Sequence, residues 1–196
     1  MPARKCCPNW LEFLSLNMTP YTARGNPSAS RLNFQAPLHV GYVIALMIFA
    51  ADVLTKYLVH EFTPYGWSRP VTGFFNFVHV WNQGAAFSFL ADAGGWQRLF
   101  FIAIAAVVSV WLIAVLRKPM RFIEQLALSL ILGGALGNGL DRAMRGYVVD
   151  FLDFYWRGWH WPAFNIADIG IVCGAAFMLA ASLKPSPPPT TPDAPT

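Results

Sequence analysis

The sequence predicts a mainly α-helical membrane protein with four transmembrane helices and a small outer-face β-sheet at the membrane interface. Hydrophobic residues make up 56% of the 196 residues and charged residues only 12%, which leaves too little polar surface to cover a soluble globule. A helix needs roughly 20 residues to cross about 30 Å of hydrocarbon. Four apolar stretches approach that length, at residues 39–57, 99–116, 122–140 and 167–183.

The β-sheet is predicted from the long segment between the first two stretches. Bulky apolar residues cluster there and favour strands; they are Phe74, Phe75, Phe77, Val78, Val80 and Trp81. Tryptophans also occur in both connections that follow an odd-numbered stretch, at Trp67, Trp81, Trp96, Trp156, Trp159 and Trp161. Because such rings anchor proteins at headgroup level, we expect the sheet to lie on the outer membrane surface.

The basic residues predict the orientation. The short connection after the second stretch carries Arg117, Lys118 and Arg121, and the positive-inside rule places such a connection in the cytoplasm. Both termini then also lie in the cytoplasm, because an even number of spans separates them. The formal charge of +4 does not indicate a nucleic-acid partner, since the basic residues form no stripe interleaved with stacking aromatics.

Composition divides the chain into three parts. Residues 1–36 mix Pro, Ser, Asn, Gly and Arg without a period and predict a flexible cytoplasmic extension. Residues 37–184 form the predicted four-helix membrane domain, and residues 185–196 a disordered, Pro/Thr-rich cytoplasmic tail.

Polar side chains cluster at the predicted outer ends of the spans. An ionisable group in a membrane is costly unless it is paired or hydrated, so the presence of each one requires an explanation. They are Asp52, Lys56, Asn138, Asp141, Arg142, Asn165 and Asp168, with Asp150 in the last connection. Taken singly, each has a structural explanation. Residues 52 and 56 have the i, i+4 spacing of a helical ion pair, and residues 165 and 168 resemble a helix cap. Residue 141 could buttress a helix end or an arginine.

Taken together, the carboxylates also suggest chemistry. Asp150 and Asp168 come from separate elements and could converge at the outer boundary between water and lipid. Such a pair can share one proton, so that one carboxylate activates water while its protonated partner polarises a carbonyl. The sequence contains no HExxH or GxSxG motif. Asp153 is interpreted as a solvated loop residue.

Histidines give no reason to expect a metal. No two of them have ligand spacing on one helix; they are His39, His60, His79 and His160. We therefore expect neither a metal nor another cofactor.

Five motifs occur in a fixed order relative to the four spans, at residues 52–56, 81–88, 133–142, 146–151 and 164–168. With them, the chain resembles the bacterial lipoprotein signal peptidases (signal peptidase II) over about residues 40–183. The resemblance implies an aspartic endopeptidase whose catalytic pair is Asp150 and Asp168, without a metal or a covalent intermediate. It further implies that Asn82, Gly84, Asn138, Arg142 and Asn165 shape the substrate cleft and that Asp52, Lys56 and Asp141 support it.

The same resemblance implies the biological setting. Its substrates are prolipoproteins that carry diacylglycerol on a cysteine, and cleavage occurs just before that cysteine. We expect a monomer in the bacterial cytoplasmic (inner) membrane, in contact with membrane lipids, with its active site near the outer face.

Two other functions remain open on the residues alone. A small transporter or proton-conducting protein could use Asp52, Asp141 and Asp168 as a relay, although relay groups should be distributed across the membrane depth. A non-catalytic membrane scaffold would tolerate Asp150→Asn and Asp168→Asn.

Overall fold

The computed structural model describes residues 37–84 and 96–183. Along these residues the elements are α1 (Leu38–Phe62), β1 (Ser68–Thr72), β2 (Phe75–Asn82), α2 (Trp96–Val115), α3 (Phe122–Met144), β3 (Val148–Trp156), β4 (Trp159–His160) and α4 (Ile166–Ser182). The predictions for residues 1–36 and 185–196 lie outside the described part of the chain.

Three of the described helices are long and apolar enough to cross a membrane: α1, α2 and α3. The fourth, α4, is also apolar but has only 17 residues. All four coincide with predicted stretches, but α1 continues to Phe62 and α3 to Met144, past the predicted ends at residues 57 and 140. Hydropathy falls at those points. The added turn of α3 begins with Asp141, whose carboxylate pairs with Lys56 and Arg145 inside the protein.

Helix α3 is the most buried of the three long helices and packs against the other three helices. The apolar core beside it contains Ala45, Leu112, Leu116, Leu128 and Leu132. By contrast, α1 and α2 expose many large apolar side chains, among them Met47 and Val107, as expected of helices that face lipid.

Small residues bring α3 and α4 into close contact. A Cβ atom added at Gly174 of α4 would lie 2.6 Å from the carbonyl oxygen of Ala127 on α3. A Cβ added at Gly134 of α3 would collide with the carbonyl oxygen of Ala167 on α4. Membrane helices commonly approach through such small residues, because packing rather than hydrophobicity holds them together.

The four strands form one antiparallel series in the order β1-β2-β3-β4. It lies at the end of the bundle where α1 and α3 finish and α4 starts, which we call the sheet end. The register between β2 and β3 shifts between the pairs Phe77↔Leu152 and Val80↔Asp150. Two residues of β2, Val78 and His79, therefore oppose one residue of β3, which is a β-bulge.

The strands predicted around residues 74–81 are confirmed by β2, whereas β3 was not predicted. The interpretation of Asp153 as a solvated loop residue is wrong. Asp153 lies on β3 and is 6% exposed; its carboxylate accepts a hydrogen bond of 2.8 Å from Asn76 and lies 2.9 Å from Nδ1 of His160. Asn76 is 77 positions away in sequence, so local pattern could not reveal this partner.

Replacing Gly174 by alanine should destabilise the protein by about 1–3 kcal/mol, because a backbone carbonyl cannot move aside for the new methyl group. Thermal unfolding in detergent measures the effect. Gly73→Ala is the matched control, because a Cβ there meets nothing within 4 Å, and its stability should change by less than about 0.5 kcal/mol. Equal stability of both variants would contradict the close helix contact.

Candidate active site

A buried ammonium group lies at the sheet end of the bundle. Nζ of Lys56 is 2.7 Å from Oδ2 of Asp52 and 3.3 Å from Oδ2 of Asp141, and all three side chains are buried. The predicted i, i+4 ion pair is therefore present. Lys56 also donates a hydrogen bond of 2.8 Å to Oδ1 of Asn138, so one cation organises two carboxylates and an amide.

The two carboxylates extend this cluster to the elements around it. Oδ1 of Asp52 accepts a hydrogen bond of 2.8 Å from the backbone N–H of Ala167 in the first turn of α4, where helix N–H groups lack partners of their own. Asp141 pairs with Arg145 and accepts the backbone N–H of Val149 at 3.2 Å. The cluster thus ties α1 and α3 to the start of α4 and to β3, and Asp141 buttresses a helix end as expected.

Asp150 lies on β3 and is only 2% exposed. Each carboxylate oxygen accepts one side-chain amide: Oδ1 from Asn165 at 2.6 Å and Oδ2 from Asn82 at 3.0 Å. Both amides belong to other parts of the chain: Asn82 is the last residue of β2, and Asn165 is the residue that precedes α4.

Asp168 lies in the first turn of α4. Its Oδ1 accepts a hydrogen bond of 2.8 Å from Asn138, and its Oδ2 one of 3.3 Å from the backbone N–H of Asn165. The backbone N–H of Asp168 donates in return to Oδ1 of Asn165 at 3.0 Å. This is the predicted helix cap, in the reciprocal form of a capping box.

Asn165 therefore connects the two carboxylates, since its side chain binds Asp150 and its backbone binds Asp168. Burial, and next the negative charge of Asp168, raise the pKa of Asp150 to about 7, although the amides of Asn82 and Asn165 act in the opposite direction. A carboxyl group with such a pKa can hold a proton near neutrality beside an ionised partner.

Both carboxylates open on a cleft of ≈ 1100 Å³. Its polar end is formed by Asn82, Arg142, Asp150 and Asp168, and its apolar walls include Val80, Trp81, Trp159, Trp161, Pro162, Phe164, Ile169 and Val172. The guanidinium of Arg142 lies over the ring of Phe101, 4.8 Å from its centre, which holds the cation beside the cleft.

Gly84 follows the polar end of the cleft with a φ of +111°, a conformation that favours glycine. Its backbone N–H donates to Oδ1 of Asn82 at 2.9 Å, which orients the amide that binds Asp150. A Cβ at this position would lie 2.5 Å from the ring of Phe101, so a larger residue would have to displace that ring.

The structure thus brings the predicted site residues together in two layers. Asn82, Arg142, Asp150 and Asp168 line the cleft. The second layer is connected to these four residues by one or two hydrogen bonds or ion pairs. It consists of Asp52, Lys56, Gly84, Asn138, Asp141 and Asn165. The apolar walls were not predicted from the sequence, because Ile169 and Val172 have the same apolar character as residues that only face lipid.

Known proteins resemble the chain over most of its length. The family model described as signal peptidase (SPase) II matches residues 44–184. A lipoprotein signal peptidase of Serratia marcescens is 56% identical over 140 residues, which cover 71% of this chain and 82% of the relative. One from Cupriavidus necator is 48% identical over 171 residues, which cover 85% and 97%.

Solved structures agree with these relatives. A structure described as a bacterial membrane enzyme, obtained by the in meso method at 1.9 Å resolution, matches with a TM-score of 0.68 and 31% sequence identity. The match covers 80% of this chain and 100% of that chain. The bundle and the sheet therefore occur together in a membrane enzyme of known structure.

Replacing Lys56 by methionine should cost about 3–5 kcal/mol of unfolding free energy, because two carboxylates would remain buried without their cation. Unfolding in mixed detergent micelles measures this loss. Arg117→Met removes the same charge from an exposed position and should change the stability by less than about 0.5 kcal/mol. A Lys56→Met protein as stable as this control would show that the ammonium does not organise the cluster.

Proposed function

The chain belongs to the signal peptidase II family, multi-pass membrane proteins that remove signal peptides from prolipoproteins, and we propose that it hydrolyses the peptide bond with Asp150 and Asp168. The observation that carries this proposal is the pairing of the two carboxyl groups across Asn165 at the polar end of the cleft. One member of the pair has a pKa raised to about 7.

The surroundings of the two groups suggest different roles. Asp168 accepts an N–H from Asn138, whose carbonyl oxygen binds the Lys56 ammonium, and it lies at a helix N-terminus. Both features favour a negative charge at this position. Asp150 is more deeply buried and lies next to that charge. We therefore assign Asp168 as the general base and Asp150 as the general acid.

In the proposed reaction, the ionised Asp168 takes a proton from a water molecule as the water oxygen attacks the scissile carbonyl carbon. Asp150 donates its proton to the carbonyl oxygen, which gives a neutral tetrahedral diol. Asp168 then delivers its proton to the leaving nitrogen, and the C–N bond breaks. Asp150 recovers a proton from the diol as the new carboxyl group forms, so both groups return to their starting states.

We place four spans in the bacterial inner membrane, with both termini in the cytoplasm and the sheet at the outer face. Arg117 and Lys118 lie at the opposite end of the bundle from the sheet, as the positive-inside rule requires of a cytoplasmic connection. Exposed aromatic rings, among them Trp156 and Trp159, lie at the sheet end. Helix α4 would be the fourth span, about 25 Å long at 1.5 Å per residue.

This placement suits a lipid-modified substrate. The exposed side of α4 contributes Ile169 and Val172 to the apolar wall of the cleft, next to the turn that carries Asp168. Diacylglycerol on the substrate cysteine can therefore stay in the bilayer while the bond just before that cysteine reaches the carboxyl pair. We propose residues 37–184 as a peptidase domain that acts as a monomer, with 1–36 and 185–196 as cytoplasmic extensions.

The isosteric variants Asp150→Asn and Asp168→Asn should each lower kcat by at least about 100-fold, because each removes one partner of the proton transfer. A gel-shift assay with a diacylglyceryl-modified prolipoprotein in detergent measures cleavage, and thermal unfolding checks the fold. Asp153→Asn is the matched control on the same strand, since its carboxylate binds Asn76 and His160 instead of lining the cleft. Near-normal cleavage by either of the first two variants would remove that residue from the pair.

The pH profile separates the two roles. Below about pH 7 Asp150 keeps its proton, and above it the group ionises, so kcat/KM should fall about tenfold per pH unit above 7 as the acid is lost. Initial rates at low substrate concentration between about pH 5 and pH 9 measure this alkaline limb. A kcat/KM that rises through pH 7 would mean that the group with the raised pKa acts as the base.

A further inference from the structure

One side chain of α2 touches the candidate site at two points, although none of the described residues that line the cleft belongs to this helix. The side chain is that of Phe101, in the second turn of α2. Its ring contacts Arg142 of α3 and Gly84, which follows β2. A single ring from a third element thus joins two parts of the site that belong to different elements.

The first contact fixes a cation whose own hydrogen bonds are weak. The guanidinium of Arg142 lies 4.8 Å from the centre of the Phe101 ring. Its Nη1 donates a long hydrogen bond of 3.4 Å to the carbonyl oxygen of Asn138, and its Nε is buried without a hydrogen-bond partner among the described residues. The face of the ring is therefore the contact that keeps this cation at the polar end of the cleft.

The second contact acts on Asp150 through two hydrogen bonds. A Cβ built on Gly84 would lie 2.5 Å from the Phe101 ring, so the ring packs directly against the backbone there. The backbone N–H of Gly84 donates to Oδ1 of Asn82 at 2.9 Å, and the amide of Asn82 donates to Oδ2 of Asp150 at 3.0 Å. The ring thus limits the movement of the turn that orients this amide.

Arg98, one turn earlier on α2, ties the helix to the end of α3. Its Nε donates a hydrogen bond of 2.9 Å to the carbonyl oxygen of Arg142, and its Nη2 donates one of 2.7 Å to that of Ala143. The last carbonyl groups of a helix lack helical partners and favour a nearby cation. Because residues three positions apart lie on the same side of a helix, Arg98 and Phe101 bind the backbone and the side chain of the same residue.

We propose that Phe101 is a positioning residue that holds the Arg142 cation and the Asn82 amide beside the carboxyl pair. Arg98 anchors the ring to α3. This inference rests on the proposed function, because the positioned groups act on Asp150 as a member of the catalytic pair. It assigns a part in the reaction to α2, a helix that does not line the cleft.

The two positioned groups act on Asp150 in the same direction. The cation of Arg142 and the amide of Asn82 both favour the ionised form of this carboxyl group. The other charged groups that act on it are Asp168 of α4 and Lys56 of α1. Loosening the cation and the amide should therefore raise the pKa of Asp150, which moves the alkaline limb of kcat/KM to higher pH.

The variant Phe101→Leu tests the proposal in the detergent assay with diacylglyceryl-modified prolipoprotein. Initial rates between about pH 5 and pH 9 should show the alkaline limb moved up by roughly 0.3 to 1 pH unit. At about pH 6, kcat/KM should be about two- to tenfold lower, because the cation in the cleft is no longer fixed. Phe177→Leu is the matched control, since this side chain of α4 is 37% exposed and does not line the cleft; its pH profile should match that of wild type.

Arg98→Gln is a second variant, which keeps the ring and changes an exposed residue. It should move the limb in the same direction by a smaller amount, whereas Arg69→Gln, at an exposed position of β1, should not move it. The double variant should move the limb no further than Phe101→Leu does, because Arg98 acts through the ring. Additive shifts would overturn the assignment of Arg98 as the anchor.

A limb that stays in place in every folded variant, even with a lowered activity or melting temperature, would overturn the proposal by reducing these contacts to structural ones. Failure of the proposed function would show separately. It would appear as cleavage by Asp150→Asn, or as a wild-type profile without an alkaline limb.

Discussion

The buried ammonium group of Lys56 is the interaction on which the rest of the site depends. Taking this cation out of water is costly unless it is well paired. Its partners Asp52, Asp141 and Asn138 together offset the lost hydration. Each partner has a second contact: Asp52 with the start of α4, Asp141 with the start of β3, and Asn138 with Asp168. The elements that carry the two candidate catalytic carboxylates are therefore fixed to one charge.

This arrangement also gives two chemically identical carboxyl groups different environments. The Lys56 cation reaches Asp168 through a single amide, that of Asn138. Asp150 is surrounded by strand backbone and two neutral amides, and it is buried next to a like charge. Burial and the neighbouring charge raise the pKa of Asp150 against the opposing effects of its two amides and of Lys56. Asp168 instead lies in the first turn of a helix and accepts the amide that Lys56 holds. Such a difference is what acid and base roles require of a pair.

The sequence predicted those features of the fold and the site that depend on residues close together in the chain. Helix positions follow from apolar length, the Asp52–Lys56 pair from i, i+4 spacing, and the Asn165 cap from its place before α4. The membership of Asp150 and Asp168 in one site came from ordered motifs, because nothing local relates a strand residue to a helix start. The contacts of Asp153 with Asn76 and of Trp81 with His79 and Tyr147 were not predicted, since they depend on strand register and on residues far apart in the chain.

The β-bulge at Val78 and His79 has a consequence for how the sheet can vary. It divides β2 into an outer half that pairs with residues 152–154 and an inner half that ends at Asn82. In a regular strand, a one-residue insertion reverses the facing of every later side chain. Here the irregular step can absorb such a change, so the outer half is free to change in length and composition while Asn82 keeps its position. The bulge thus separates the half of β2 far from the bundle from the half that ends beside the candidate catalytic carboxylates.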